Sequence, residues 1–315
     1  MKITVLGCGR WGSFLAWYFH NIGYEVLLWG RSTSEKFKVL STIRENAYVK
    51  LSKEVVLSNS LSNALDFSDV IVIAIKEQSL RDLMKSITTL NYCNKTFVLC
   101  MKGIENQTCK RLSEVVYEHV GELAKIAIMI GPGQPSDIIK GIPTCMLIDS
   151  IDRSVSESLA ERFNSDLINI KVGNDLIGNE IGSAVNKLIG IAGGILDELG
   201  CSSLKGPLMV VGTREIAMLI ESLGGKSVSA YGLCCLGDYQ ASLFSEHSNS
   251  VAFGRSIVKN ENFQNHAPGA FTAKTVIELA KNNNIEMPIL LLTSQIIMKI
   301  EDYHKIVYEL KKYRW

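Results

Sequence analysis

The feature that most constrains the fold is a glycine cluster that directly follows a short apolar run at the N-terminus. Residues 2–6 read Lys-Ile-Thr-Val-Leu, and residues 7–12 read Gly-Cys-Gly-Arg-Trp-Gly. This is a Gly-x-Gly-x-x-Gly pattern between a predicted strand and a predicted helix over residues 11–22, the context in which the pattern carries information. We therefore expect the chain to begin with the first strand–turn–helix of a dinucleotide-binding sheet.

The three glycines have separate expected roles in such a turn. Gly7 permits the tight turn, Gly9 lets a pyrophosphate approach the backbone, and Gly12 lets the helix pack on the strand. The start of the helix, with Arg10 and Trp11, offers N–H groups and the positive end of the helix dipole to phosphates. The alternative is a glycine-rich turn that packs closely and binds no ligand.

The end of the second predicted strand bears on the choice of cofactor. NAD sites often place an acidic residue roughly 20 residues after the glycines, where it holds the ribose 2′-hydroxyl. The comparable position here is Arg31, followed by Ser32. A cation and a hydroxyl suit the 2′-phosphate, so we expect NADP, with NAD possible if Arg31 stacks only on the adenine.

The first half of the chain alternates between apolar runs and helical segments. This alternation predicts a parallel, doubly wound α/β sheet with right-handed crossovers. The predicted strands are 2–6, 25–29, 69–75, 96–100, 126–130 and 144–148, and the predicted helices are 11–22, 78–90 and 107–120.

The pattern changes near Gly173, beyond which no strand alternation is visible. We expect a Rossmann domain over residues 1–172 and an all-helical domain over 173–315. The predicted helices of the second domain are 175–199, 208–223, 248–258, 272–282, 288–298 and 303–313.

Charge and cysteine content exclude several classes of protein. The 315 residues carry a net charge of +1, which argues against nucleic acid or an anionic membrane as the main partner. The eight cysteines form no Cys-x-x-Cys pair, so neither a zinc framework nor a disulfide framework is expected. No apolar run is long enough to span a membrane and no signal peptide is visible, so we expect a cytoplasmic protein without a metal.

Several motifs, taken in order, resemble those of the NAD(P)-dependent glycerol-3-phosphate dehydrogenases over nearly the whole chain. The matching segments are the glycine cluster 7–12, residues 69–81, the Lys-Gly loop 102–105, Gly131-Pro132, the helix 180–195, Thr213-Arg214, Gly232-Leu233, Gly237-Asp238 and residues 272–289. The resemblance implies a Rossmann domain followed by a helical domain, a dehydrogenase acting on an alcohol or ketone, and a homodimer.

The chain departs from that family at positions where a substrate and the nicotinamide are expected. The family's central helix reads Gly-Ala-Leu-Lys-Asn, whereas residues 183–187 read Ser-Ala-Val-Asn-Lys, so Asn186 stands where the family has its proton-donating lysine. The family's Ser-Arg-Asn aligns with Ser-Asn-Ser at 248–250, and its Glu-Gly pair aligns with Pro268-Gly269. Its Gly-Pro-Ser becomes Gly-Pro-Gly, ending at Gly133.

The candidate catalytic residues follow from the proton and charge that ketone reduction requires. Lys102 follows an apolar strand, which puts its ammonium group at the carboxyl end of the sheet, where open α/β folds bind ligands. It is therefore expected to donate a proton or polarise a carbonyl. Lys187 is an alternative donor, although one helical residue corresponds to a turn of about 100°. Asn186 could hydrogen-bond the carbonyl, and Asp238 could position a lysine or a substrate hydroxyl.

The remaining candidates contact cofactor or substrate. Lys76 lies in the segment 69–81, which resembles the family's fourth-strand segment, and is expected to contact the cofactor, together with residues 7–12, Arg31 and Ser32. Lys102, Gly133, Ser242 and Asn249 are expected to contact a small anionic substrate.

The changed positions lead to a specific functional hypothesis. We expect an NAD(P)H-dependent oxidoreductase that reduces a small ketone bearing a phosphate or phosphonate, such as an oxopropyl phosphonate, to the secondary alcohol. The first alternative is reduction of dihydroxyacetone phosphate, the glycerol-3-phosphate dehydrogenase reaction. The second is a sensor that binds NAD(P) without hydride transfer.

Overall fold

The computed structural model describes residues 1–245, 248–263 and 268–313. Its backbone forms two compact units. The first comprises Met1–Met101 and Leu112–Asn174, and the second comprises Lys102–Arg111 and Asp175–Trp315. The sequence-based division after residue 172 did not anticipate that the segment 102–111 groups with the second unit.

The first unit is built on one eight-stranded sheet with the order β3-β2-β1-β4-β5-β6-β7-β8. Its strands are β1 Lys2–Leu6, β2 Glu25–Trp29, β3 Val56–Ser58, β4 Val70–Ile73, β5 Thr96–Leu99, β6 Lys125–Ile130, β7 Thr144–Ser150 and β8 Ile168–Val172. All neighbouring strands are parallel except β6 and β7.

The central strands are buried on both faces, as their unbroken Val, Ile and Leu content predicts. In β4, all four residues are buried. In β1, Val5 lies between Leu28 of β2 and Val72 of β4, and all three side chains are at most 1% exposed. This register places the carboxyl ends of these strands together, and the glycine cluster follows β1 at that edge.

Helices cover the sheet of the first unit. They are α1 Arg10–Asn21, α2 Glu35–Ile43, α3 Leu61–Phe67, α4 Leu80–Ile87, α5 Leu112–Val120, α6 Pro135–Ile139 and α7 Arg153–Phe163. Side-chain oxygens cap three of them, from Ser34 for α2, Ser60 for α3 and Asp152 for α7. Such caps accept N–H bonds that the first helical turn leaves unpaired.

The structure confirms the α/β class and corrects several sequence predictions within it. The expectation of an all-parallel sheet was wrong at β7, which runs antiparallel to β6 after a connection that contains α6. Strands β3 and β8 were not predicted, because β3 has only three residues and β8 lacks the continuous apolar run by which the buried strands were recognised. The helix predicted from residue 107 begins at Leu112.

The second unit is helical. Its helices are α8 Leu176–Glu198, α9 Lys205–Ser222, α10 Asp238–Leu243, α11 Asn249–Lys259, α12 Pro268–Asn283, α13 Pro288–Ile297 and α14 Lys305–Lys312. A π-type turn, Leu233–Gly237, leads into α10.

Helix α8 forms the centre of the second unit, and its small residues allow close packing. A Cβ on Gly194 would lie 2.1 Å from the carbonyl oxygen of Val251 in α11, and one on Gly254 would lie 2.0 Å from that of Ile191. The backbones of α8 and α11 therefore touch at positions where any side chain would separate them. Within the described part of the chain, none of the helices combines the length and apolar character needed to cross a membrane.

Candidate active site

The glycine cluster of the first unit has the backbone geometry that a nucleotide-binding turn requires. Gly7 has φ +120°, and a Cβ there would lie 2.3 Å from the carbonyl oxygen of Ala74. A Cβ on Gly12 would lie 1.8 Å from the carbonyl oxygen of Gly7. Neither position can carry a side chain without moving the backbone. At Gly7, the positive φ is a second restriction, because φ between +20° and +160° disfavours residues other than glycine.

Gly9 differs from its two neighbours because a Cβ there would meet no atom within 4 Å. Gly9 is the N-cap of α1 and no side chain caps this helix, while its first turn carries no acidic residue. This turn therefore presents an open, electropositive backbone surface, which fits the pyrophosphate of a dinucleotide.

The other predicted cofactor residues lie beyond the carboxyl ends of neighbouring strands. Arg31 and Ser32 follow β2 and are exposed, and Lys76 follows β4 and is also exposed. A Cβ on Gly30 would collide with Phe37 and with Cys8 Sγ, so the chain passes close to the glycine cluster before it reaches Arg31. These positions are accessible to a ligand at this edge of the sheet, where open α/β folds bind nucleotides.

Gly133, a predicted substrate contact, packs against another predicted site residue of the first unit. A Cβ on Gly133 would lie 3.0 Å from the indole ring of Trp11. Trp11 in turn stacks on Phe14, with ring centroids 5.1 Å apart. Gly133 thus makes room for Trp11, and its expected role toward substrate stays a prediction.

The second unit brings together all four predicted catalytic residues around one carboxylate. Asp238, the first residue of α10, accepts from Lys102 Nζ at Oδ1 over 2.7 Å and from Lys187 Nζ at Oδ2 over 2.6 Å. Asn186 Nδ2 also donates to Oδ2, over 3.0 Å. The segment of Lys102 and helix α8, which are distant in sequence, therefore both converge on Asp238 at the start of α10.

Asn186 and Lys187 reach the same oxygen even though they are neighbours on α8. The short amide of Asn186 is fully buried and also donates to the carbonyl oxygens of Cys234 and Cys235 in the π-type turn. The longer Lys187 side chain extends back to Asp238 from the adjacent helical position and keeps 14% of its surface exposed. Side-chain length therefore compensates for the turn of about 100° between them.

Charge and burial set the protonation of this cluster. Burial alone would raise the pKa of Asp238, but the charges of Lys102 and Lys187 and their hydrogen bonds outweigh it and lower that pKa to about 2. Burial lowers the pKa of Lys187 below its ordinary value, Asp238 opposes this effect, and the charge of Lys102 adds to it. The cluster thus holds an ionised carboxylate and a lysine that releases its proton more readily than usual.

One polar atom of the Asn186 side chain has no hydrogen-bond partner. Its Oδ1 is buried and has no hydrogen-bond partner. Because Nδ2 is committed to three protein acceptors, the amide orients the Asp238 carboxylate and the π-type turn. The expected direct bond from Asn186 to a substrate carbonyl stays a prediction.

The predicted substrate residues of the second unit lie near the ends of short helices. Ser242 lies in α10 and is partly buried, and Asn249 is the exposed first residue of α11. Gly269 of α12 packs on Lys187, since a Cβ there would lie 3.1 Å from Lys187 Cβ. The starts of α11 and α12 thus both pack on α8, at Gly190 and at Lys187.

Two further groups of charged side chains were not predicted from the sequence. Arg111 Nη1 donates to Glu180 Oε2 over 2.7 Å, which ties the segment 102–111 to α8. Asp197, at the other end of α8, holds both Lys205 and Arg255. No motif marks these pairs, because only the fold brings their segments together. Among the described residues, no group of three or more His, Cys, Asp or Glu could hold a metal ion.

The two sets of residues have complementary chemistry. The first unit offers backbone N–H groups and exposed cations suited to the phosphates of a dinucleotide. The second unit offers a proton donor, a second cation that can stabilise a negative oxygen, and a carboxylate that orients both.

Known proteins resemble both units. Models of the NAD-dependent glycerol-3-phosphate dehydrogenase N-terminus and C-terminus match residues 2–156 and 175–308. A glycerol-3-phosphate dehydrogenase [NAD(P)+] of Staphylococcus aureus is 31% identical over 302 residues, which cover 91% of each chain.

Solved structures share the fold over nearly the full length. A glycerol-3-phosphate dehydrogenase from Coxiella burnetii superposes with a TM-score of 0.92 at 23% identity and covers 99% of both chains. The Plasmodium falciparum enzyme has a TM-score of 0.85 at 20% identity and covers 98% of this chain and 94% of that one. With the family models matching both units, this chain is an NAD(P)-dependent dehydrogenase acting on a CH–OH group and belongs to the NAD-dependent glycerol-3-phosphate dehydrogenase family.

Proposed function

We propose that this protein interconverts dihydroxyacetone phosphate and glycerol 3-phosphate with NAD(P)H as the hydride donor. The observation that carries the proposal is the Lys102–Asp238–Lys187 cluster, which supplies a proton donor and an oxygen-stabilising cation although the residue order in α8 differs from the family's. The Staphylococcus aureus relative and the Coxiella burnetii structure are both glycerol-3-phosphate dehydrogenases. We therefore replace the oxopropyl phosphonate hypothesis with its first alternative.

The proposed division of labour follows from the contacts of each residue. The bound nicotinamide would supply the hydride. Lys187, whose pKa is lowered, donates the proton to the developing alkoxide at its Nζ. Lys102 stabilises the negative charge on that oxygen, and Asp238 holds both ammonium groups in place. Asn186 acts through Asp238 as a positioning residue.

The phosphate of the substrate requires an anion site, which we place in the second unit. The arginine of the family's Ser-Arg-Asn segment is absent here, so we propose that Asn249 and the N-terminus of α11 bind the phosphate together with Ser242 of α10. With Asp238 ionised, Lys102 and Lys187 leave the cluster one net positive charge, which also favours a phosphate ester.

We propose NADP as the preferred cofactor, and residues 1–172 as the domain that binds it. Exposed Arg31 and Ser32 at the end of β2 support this preference, because a guanidinium and a hydroxyl can both bond a 2′-phosphate.

We further propose that the chain forms a homodimer, which light scattering of the purified protein would test by mass.

The substrate panel is the decisive test of this function. NADPH and NADH oxidation, followed by absorbance, is compared for dihydroxyacetone phosphate, oxopropyl phosphonate and acetoacetate. We expect dihydroxyacetone phosphate to be reduced with the highest kcat/KM. Faster turnover of the phosphonate would restore the original hypothesis, and tight cofactor binding without turnover of any ketone would support a sensor.

A further inference from the structure

The segment 102–111, which carries Lys102, is folded back on itself as a short hairpin of the second unit. Ile104 pairs with Arg111 across an antiparallel bridge, so the two ends of the segment run side by side. Ile104 is 1% exposed and packs in the apolar core of the second unit. Lys102 and Arg111 therefore lie together at the base of this hairpin.

The base and the tip of the hairpin are attached to different helices. At the base, Arg111 Nη1 donates to Glu180 Oε2 of α8 over 2.7 Å. At the tip, Thr275 Oγ1 of α12 donates to Asn106 Oδ1 over 3.0 Å. The base attachment lies beside the bridge and therefore close along the backbone to Lys102, whereas the tip attachment lies farther along the hairpin.

The ion pair at the base is largely buried. The Arg111 side chain is 16% exposed and the Glu180 side chain is 6% exposed. A buried ion pair adds little net stability, because both charges lose their hydration, but breaking it leaves an unpaired buried charge. The pair therefore favours those positions of the hairpin in which the guanidinium meets the carboxylate.

Helix α8 bears both the anchor of the hairpin and one lysine of the catalytic cluster. Glu180 and Lys187 are about two helical turns apart, so they lie on the same side of α8. Lys187 donates to Asp238 Oδ2, and Lys102 of the hairpin donates to Oδ1. The helix can thus fix one ammonium group directly and the other through Arg111.

We propose that Arg111, held by Glu180, positions Lys102 for ketone reduction by fixing the base of the hairpin on α8. Arg111 is a positioning residue, because its effect on the reaction is exerted through Lys102. This inference rests on the proposed function, in which Lys102 stabilises the negative charge on the substrate oxygen.

The pH dependence of four proteins tests the inference. We measure kcat for dihydroxyacetone phosphate reduction from pH 6 to 11 in the wild type, Arg111→Met, Lys102→Met and the double variant. The charge of Lys102 lowers the pKa of Lys187, whereas Asp238 and Cys235, which raise it, are unchanged in all four proteins. Displacement of Lys102 should therefore move the alkaline decline of kcat to higher pH.

The expected results differ from those of a purely structural role. Arg111→Met should lower kcat roughly tenfold, since a displaced group stabilises the transition state less well. It should also move the alkaline decline in the same direction as Lys102→Met does. In the double variant, kcat and the midpoint of the decline should equal those of Lys102→Met, because Arg111 then has no lysine to position.

Further variants separate positioning from a loss of folding. Arg111→Lys keeps the charge and should recover part of kcat. If Arg111→Met does not fold, its combination with Glu180→Gln removes both buried charges and replaces it in the comparison. Arg255→Met removes an arginine that pairs with Asp197 near the other end of α8, and it should leave the midpoint unchanged and kcat within a few-fold of the wild type.

The outcomes distinguish this inference from the proposed function. If Arg111→Met keeps the wild-type midpoint, with or without a lower melting temperature, the inference is wrong while the function stands. If Arg111→Met lowers kcat by the same factor with and without Lys102, it does not act through Lys102 and the inference is again wrong. If the wild type does not reduce dihydroxyacetone phosphate, both the inference and the proposed function fail.

Discussion

The glycine turn of the first unit is formed by backbone groups, whereas the lysine–aspartate cluster of the second unit is formed by side chains. The turn uses backbone: Gly7 and Gly12 are needed because any Cβ would strike a carbonyl oxygen. The cluster uses long side chains, and Lys187 reaches Asp238 from a helical position adjacent to that of Asn186. A backbone site tolerates almost no change in residue order, whereas a side-chain site can keep its charges while the order on the helix changes.

The largest expected effect is at Asp238. In Asp238→Asn, the carboxylate that orients both ammonium groups is lost, and we expect kcat for ketone reduction to fall roughly 10³-fold. The dissociation constant of NADPH should change far less. Asp197→Asn is the matched control, because Asp197 of α8 also holds two cations, Lys205 of α9 and Arg255 of α11. We expect that control to lower the melting temperature and to leave kcat within a few-fold of the wild type; an equal loss of kcat would contradict a special role for Asp238.

The same difference, between contiguous backbone groups and side chains from distant segments, explains how far each site could be predicted from the sequence. The turn was predicted because its residues are contiguous, and the preceding strand was assigned at Lys2–Leu6 as observed. Lys102 and Lys187 were singled out, but their meeting at Asp238 joins residues 136 and 51 positions apart, which no spacing encodes. The strand at 144–148 was predicted, but its antiparallel direction was not, for a related reason: its composition is that of any buried strand.

The second prediction contrasts two glycines of one turn. Gly12→Ala places a Cβ 1.8 Å from a carbonyl oxygen, so we expect a lower melting temperature and a loss of NADPH affinity of about a hundredfold. Gly9→Ala meets no protein atom and should melt like the wild type, yet it should also weaken NADPH because its methyl group occupies the ligand side. Unimpaired NADPH binding by Gly9→Ala would show that the pyrophosphate does not approach this position.

The third prediction concerns pH. Only the ammonium form of Lys187 can donate a proton, and its pKa lies below the ordinary 10.5. We therefore expect kcat for ketone reduction to fall about tenfold per pH unit above that lowered pKa. Because the Lys102 charge helps to lower the pKa of Lys187, Lys102→Met should move this decline to higher pH. A decline that keeps the same midpoint in Lys102→Met, measured from pH 6 to 11, would contradict the assignment of Lys187.

The smallest expected effect is on cofactor choice at the edge of the first unit. Arg31→Ala removes the cation beyond β2, so we expect the ratio of NADPH to NADH affinity to fall about tenfold while NADH affinity is kept. Gly9→Ala supplies the contrast, because its methyl group lies on the expected pyrophosphate side and should leave this ratio unchanged. A wild type that strongly prefers NADH would remove the basis for assigning the 2′-phosphate to Arg31 and Ser32.

The most direct test of the central claim is single-turnover reduction of dihydroxyacetone phosphate by the NADPH-loaded wild type and by Lys187→Met. The account predicts rapid NADPH oxidation by the wild type, a rate at least about a hundredfold lower in Lys187→Met, and similar NADPH affinity in both. Equal single-turnover rates in the two proteins would contradict the claim that the lysine at position 187 performs the proton transfer.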